Sequence, residues 1–216
     1  MCGIFCSKSK DKFIELSHLN SYRGNHSFSI CGFSDEGPFK IKHDFTRTQL
    51  GKFDFGVVPP NASDYYVGHV QAPTTQSRSI DNVHPAVYGD DMLWHNGIIK
   101  HSDVKRLQQK HNTSETWDTM LLLREIHDNS CRGLSDVDGG FACILYKHSD
   151  NLLYTFTNSI CSLFVDNDLN ISSVKFDGSY ILEPEVIHAI DLDSNSITSL
   201  DVKFKTKNSP YFFFEE

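Results

Sequence analysis

The order of local patterns along the chain predicts an α+β fold of two sheets with helices packed outside them. Three observations carry this. Apolar, β-branched and aromatic runs bounded by Gly, Pro, Asp or Asn recur through the first hundred residues, two helix-like stretches follow, and β character then dominates to the end. A chain of 216 residues can bury one sizeable core, and with no repeat, low-complexity tract or long linker a single continuous domain is expected.

The elements follow in order. "CGIFCS" reads as a short first strand, and "KDKFIELSHLNSY" as a helix with Phe13, Ile14, Leu16 and Leu19 at roughly helical spacing. "FSICGFSD", "YYVGHVQAP" and "MLWHNGII" read as strands. Two helices come next, "HSDVKRLQQKH" with Ser102 as N-cap, and "SETWDTMLLLREIH" starting at Ser114 with Trp117, Leu121 and Leu122 in register. "GFACILYKHSDNLLYTFTN" predicts a hairpin turning at Ser149-Asp150-Asn151, and "VIHAIDLDSNSITSLDVKF" another at Asp193-Ser194-Asn195.

Composition excludes several classes. The 28 acidic residues exceed the 20 Lys and Arg, a formal charge of −8, which argues against a polyphosphate partner, so no nucleic acid is expected. No apolar run of membrane-spanning length and no signal peptide is present, which points to the cytoplasm. The six cysteines are widely spaced without a C-x-x-C pair, so neither disulfides nor a metal site is expected, and no cofactor is implied.

Four stretches concentrate polar groups inside otherwise apolar runs: "YRGNHS" (22–27), "GHVQAPT" (68–74), "NVHP" (82–85) and "WHNG" (94–97). Buried polar groups need partners, so His69, Gln71, His95 and Asn96 imply a polar network or a site. Taken singly, each also fits a satisfied structural residue at a strand end.

Taken together and in order, these elements resemble the class II glutamine amidotransferase domain of the N-terminal nucleophile hydrolases, closest to its amidophosphoribosyltransferase branch. The family's C-G-I is Cys2-Gly3-Ile4, its R-G after a first helix is Arg23-Gly24, and its G-H-x-R-x-x-T is "GHVQAPT". N-x-H-P corresponds to Asn82–Pro85, H-N-G to His95-Asn96-Gly97, D-T on a helix to Asp118-Thr119, and the glycine before an apolar strand to "DGGFACILY". The resemblance covers about residues 1–165 and leaves 166–216 as a β-rich extension, with no synthetase domain. It implies a four-layer αββα sandwich of two mostly antiparallel sheets.

That resemblance also implies a chemistry. Hydrolysis of a side-chain amide needs a nucleophile, a base, oxyanion donors and an acid for the leaving ammonia. An N-terminal cysteine supplies the first two, because its thiol (reference pKa about 8.5) can pass a proton to its own α-amine (about 7.7–8.0) once Met1 is removed. By resemblance Cys2 attacks the γ-carboxamide to give a γ-glutamyl thioester, with Asn96 and the Gly97 N–H as the oxyanion hole. Asp118 holds the α-ammonium of glutamine, and Gln71, Thr74, Arg78 and His84 fall in the substrate-binding set. Arg23, Gly24 and His95 order the site, and residues from about Ala72 to Pro85 correspond to a loop that folds over the substrate. Ammonia would pass to a separate acceptor enzyme.

The sequence departs from the pattern at two positions. His26 stands where R-G-x-D has its acid, and Gln71 stands where G-H-x-R has the arginine that clamps the α-carboxylate of glutamine. A neutral amide cannot form a charged bidentate pair. Three readings follow: weaker glutamine binding through Gln71 or with Arg78 as replacement, a different γ-glutamyl amide as substrate, or a binding or regulatory module that has lost turnover.

Overall fold

The computed structural model describes residues 2–24, 26–33, 38–44, 65–72, 80–191, 194 and 196–207. The chain divides into two compact units: Met1–Pro85 with Leu163–Ile181 and Leu192–Ser196, and Ala86–Ser162 with Leu182–Asp191 and Ile197–Glu216.

In the first unit, strand β1 (Gly3–Ser7) is buried along its whole length, which a continuous apolar run at the centre of a sheet requires. It pairs antiparallel with β4 (Tyr65–Gln71), and β4 with β2 (Ser27–Phe33), which is followed by β3 (Phe39–Asp44). With β9 (Phe164–Val165), β10 (Ile171–Ser172) and β11 (Tyr180–Ile181) these form a seven-stranded sheet in the order β11-β9-β10-β1-β4-β2-β3. Helix α1 (Lys10–Asn20) is capped by Ser9, whose hydroxyl accepts the Lys12 N–H. It packs on one sheet face through Phe13 and Leu16, which meet Phe5, Phe28, Tyr66 and Val70. Burying each of these two side chains contributes about 1.5–3 kcal/mol.

The buried stripe of α1 differs from the expected one. Phe13, Leu16, Ser17 and Asn20 face inward, while Ile14 and Leu19 are half-exposed. Two polar residues tolerate that face because both are bonded locally: the Ser17 hydroxyl donates to Ile14 O, and Asn20 Nδ2 donates to Leu16 O and to the Ser172 hydroxyl.

The second unit holds a six-stranded sheet, β13-β12-β8-β7-β6-β5, built from β5 (Ala86–Tyr88), β6 (Asp91–Ile99), β7 (Gly139–Lys147), β8 (Leu152–Thr157), β12 (Val186–Asp191) and β13 (Ser196–Lys203). The first predicted hairpin, β7–β8, turns at 148–151 with Asn151 at φ 51°. In the second, the neighbouring strands β12 and β13 flank 192–195, of which Ser194 alone is described. Helices α2 (His101–Lys110) and α3 (Asp118–Asn129) complete the unit, and Leu122, Leu123 and Ile126 of α3 pack with Leu93, Phe141, Leu145 and Phe156 of the sheet. The α+β class and the two antiparallel sheets therefore hold, each sheet carrying helix on a face.

Both helix starts differ from expectation. Helix α2 begins one residue after β6 ends, so Lys100 occupies the N-cap position and Ser102 lies inside the helix. Lys100 is anchored instead, its N–H donating to Asp138 O at 3.0 Å and its Nζ pairing with Asp138 Oδ2 at 3.2 Å. Helix α3 begins at Asp118, not Ser114, because Glu115 Oε1 accepts the N–H groups of both Thr116 and Trp117 at 2.8 Å and holds the segment in a turn. Among the described residues, no helix is long and apolar enough to cross a membrane.

Candidate active site

In the first unit the site residues gather at the head of β1. Gly3 lies opposite Val70 in the β1–β4 ladder, and Val70 faces α1. Side chains alternate along strands, so Cys2 and Gln71 project from the other face. The buried Cys2 thiol donates to Ala72 O at 3.6 Å, and Arg23 Nε donates to the Cys2 carbonyl at 2.7 Å. Gly24 is needed for close approach, since a Cβ there would lie 2.4 Å from the Gln71 carbonyl carbon. The His26 N–H then donates to Gln71 O at 3.1 Å. The structure thus brings Cys2, Arg23, Gly24 and Gln71 together.

His84 is buried, with its ring stacked on that of His69 at 3.7 Å between centroids. Thr74 and Arg78, and the residues 73–79 of the expected loop, lie outside the described residues.

In the second unit Asn96 and Gly97 sit on β6, directly opposite Ala142 and Gly140's neighbour Phe141 on β7. Gly97 has φ 157°, and a Cβ would fall 1.9 Å from Gly140 O, so only glycine fits. Asp118 opens α3 with both carboxylate oxygens fixed by backbone: Oδ2 accepts the Ile99 N–H at 3.2 Å, and Oδ1 accepts the Thr119 N–H at 2.8 Å. His95 Nε2 lies 3.4 Å from Gly140 O and Nδ1 lies 3.2 Å from the Thr119 hydroxyl. Because a carbonyl only accepts, Nε2 carries the proton and the hydroxyl donates to Nδ1. Burial holds the His95 pKa below its usual range, opposed by the nearby Asp118 charge and the Gly140 hydrogen bond. His95 is therefore a neutral strut between β6, β7 and α3.

Three other thiols are poor nucleophiles. Burial raises Cys6 to about 12, Cys131 to about 11 and Cys143 well above its ordinary value, so none supplies a thiolate near neutrality. Among the described residues, no group of three or more His, Cys, Asp or Glu is placed to hold a metal ion.

Sequence reasoning passed over Ser27 and Asn20. Ser27 Oγ donates to Gln71 Oε1 at 2.7 Å, and Asn20 packs its side chain against Gly3. Ser27 belonged to the polar stretch "YRGNHS"; Asn20 carried no comparable signal, being one polar residue near a helix end.

This is the class II glutamine amidotransferase-like fold of the N-terminal nucleophile hydrolases. Two solved structures share it. Glutamine phosphoribosylpyrophosphate (PRPP) amidotransferase from B. subtilis, complexed with ADP and GMP, is 19% identical with a TM-score of 0.67, the match covering 92% of this chain and 49% of that one. The allosteric regulatory enzyme of purine biosynthesis is 18% identical with a TM-score of 0.69, covering 92% and 48%. The chain spans about half the length of each. No protein-family model and no curated protein sequence matches it.

Proposed function

We propose that this protein hydrolyses the side-chain amide of glutamine to glutamate and ammonia, with Cys2 as nucleophile. The observation that carries the reading is the placement of Cys2 at the head of β1, its carbonyl held by Arg23, on an amidotransferase-like fold. Removal of Met1 frees the α-amine, which takes the thiol proton as Cys2 attacks the γ-carbon. The Asn96 side chain and the Gly97 N–H stabilise the oxyanion, the protonated amine is passed to the leaving ammonia, and water then hydrolyses the thioester. Asp118 holds the substrate α-ammonium by a charge-assisted bond. The ammonia is consumed by a separate acceptor enzyme, and the chain works as one type-2 amidotransferase domain.

Glutamate release from glutamine by wild type and by Cys2→Ala tests this, alongside intact mass of the purified protein. Equal background rates, or a protein that retains Met1, would overturn it. A second reading is favoured by Gln71: the substrate is another γ-glutamyl amide whose α-carboxylate is masked. Faster turnover of such amides than of glutamine would select it.

A further inference from the structure

Residues 24–27 hold position 71 by both its backbone and its side chain. Gly24 lies against the Gln71 carbonyl, the His26 N–H donates to that carbonyl, and Ser27 sits directly across the β2–β4 ladder from Gln71. Residues paired across a ladder project from the same face, so Ser27, Gln71 and Cys2 share one face of the sheet. There the Ser27 hydroxyl donates to Gln71 Oε1 at 2.7 Å.

This bond decides which end of the carboxamide is presented. A primary amide has one acceptor oxygen and a two-donor nitrogen, and the two ends repel and attract an anion respectively. Free rotation about the terminal bond would offer the oxygen as readily as the nitrogen. With Oε1 taken by Ser27, the NH2 group turns away from Ser27, and no described residue accepts from it.

We infer that Ser27 is a positioning residue that orients the Gln71 carboxamide so that its NH2 donates to the α-carboxylate of a substrate bound beside Cys2. The inference rests on the amide-hydrolase reading above. It gives the neutral side chain a directed donor in place of a charge, and it makes recognition of the carboxylate depend on two residues. His26 contributes through its backbone alone, so its side chain is free to vary.

The test measures binding of L-glutamine by calorimetry to protein carrying Cys2→Ala, which removes turnover. Adding Ser27→Ala weakens binding about fivefold, the scale of one hydrogen bond, and Ser27→Thr restores it to within about twofold. Neither change alters binding of 4-aminobutanamide, which keeps the amide and amine and lacks the carboxylate. In a Gln71→Arg background Ser27→Ala is silent. Gln71→Glu, which leaves the Ser27 bond and removes the donor, lowers glutamine affinity without affecting 4-aminobutanamide, and serves if Ser27→Ala does not fold. Unchanged glutamine affinity in Ser27→Ala, or equal weakening for both ligands, overturns the inference while leaving the hydrolase reading intact. Ser27-dependent glutamine binding with no glutamate release by wild type overturns the hydrolase reading and leaves the positioning role standing. Absence of glutamine binding overturns both.

Discussion

The two units hold their candidate residues by different means. In the first, side chains do the holding: the Arg23 guanidinium fixes the Cys2 carbonyl, and the Ser27 hydroxyl fixes Gln71. In the second, the main chain does most of it: two backbone N–H groups fix Asp118, and Gly97 fits against the Gly140 carbonyl. Side-chain tethers can be exchanged one at a time, whereas a backbone frame changes only with the strand or helix that carries it. The departures from the family pattern, Gln71 and His26, both fall in the unit held by side chains.

The largest expected effect tests the first unit alone: Cys2→Ala lowers glutamate release at least about a thousandfold, because the thioester path is lost. Asn96→Ala tests the second unit, and kcat should fall by about a hundredfold to a thousandfold, the loss expected from one oxyanion donor. An Asn96→Ala enzyme with wild-type kcat would remove the second unit from the reaction. Gly97→Ala probes the backbone frame itself. With the new Cβ pressed on Gly140 O, denaturant unfolding should show a loss of about 2–3 kcal/mol, and an unaffected midpoint would mean that β6 and β7 separate freely.

Exchange in the side-chain-held unit should be milder and even favourable. Gln71→Arg lowers KM for glutamine about tenfold by restoring a charged partner for the carboxylate, with steady-state kinetics as the readout. The smallest effect is a pH dependence. Burial depresses His95, so the unfolded chain binds a proton that the native state refuses, and stability declines as pH falls below about 6.5, the unfolded value. His188 shifts the same way by burial, so the His95 share is read as the flatter acid limb of His95→Asn relative to wild type in denaturant melts from pH 7 to 5.

Much of the fold was legible because its central strands are nearly unbroken apolar runs and its β7–β8 turn carries Asp150 and Asn151. Helix boundaries were not, since what fixes them lies outside local propensity. Lys100 begins α2 because Asp138, distant in sequence, grips it, and Ser102 is then one residue too late to cap. The inward face of α1 also escaped, because Asn20 reads as surface until Ser172 supplies its partner. In the site, the ordered motifs led to Cys2, Arg23, Gly24 and Gln71, which the fold assembles, and to Asn96, Gly97 and Asp118, which it fixes in one frame. Ser27 was missed because a cross-strand partner depends on register, and register is set by the whole sheet.

The late start of α3 bears on how this protein could be engineered. Each residue turns a helix by about 100°, so the count between α2 and Asp118 sets the rotational phase of every side chain on α3. Deleting or inserting one residue within 113–117 would swing Asp118 off the Ile99 amide while carrying Leu122 and Ile126 out of the core, unless the Glu115 turn absorbed the change. That connection can change in composition far more safely than in length.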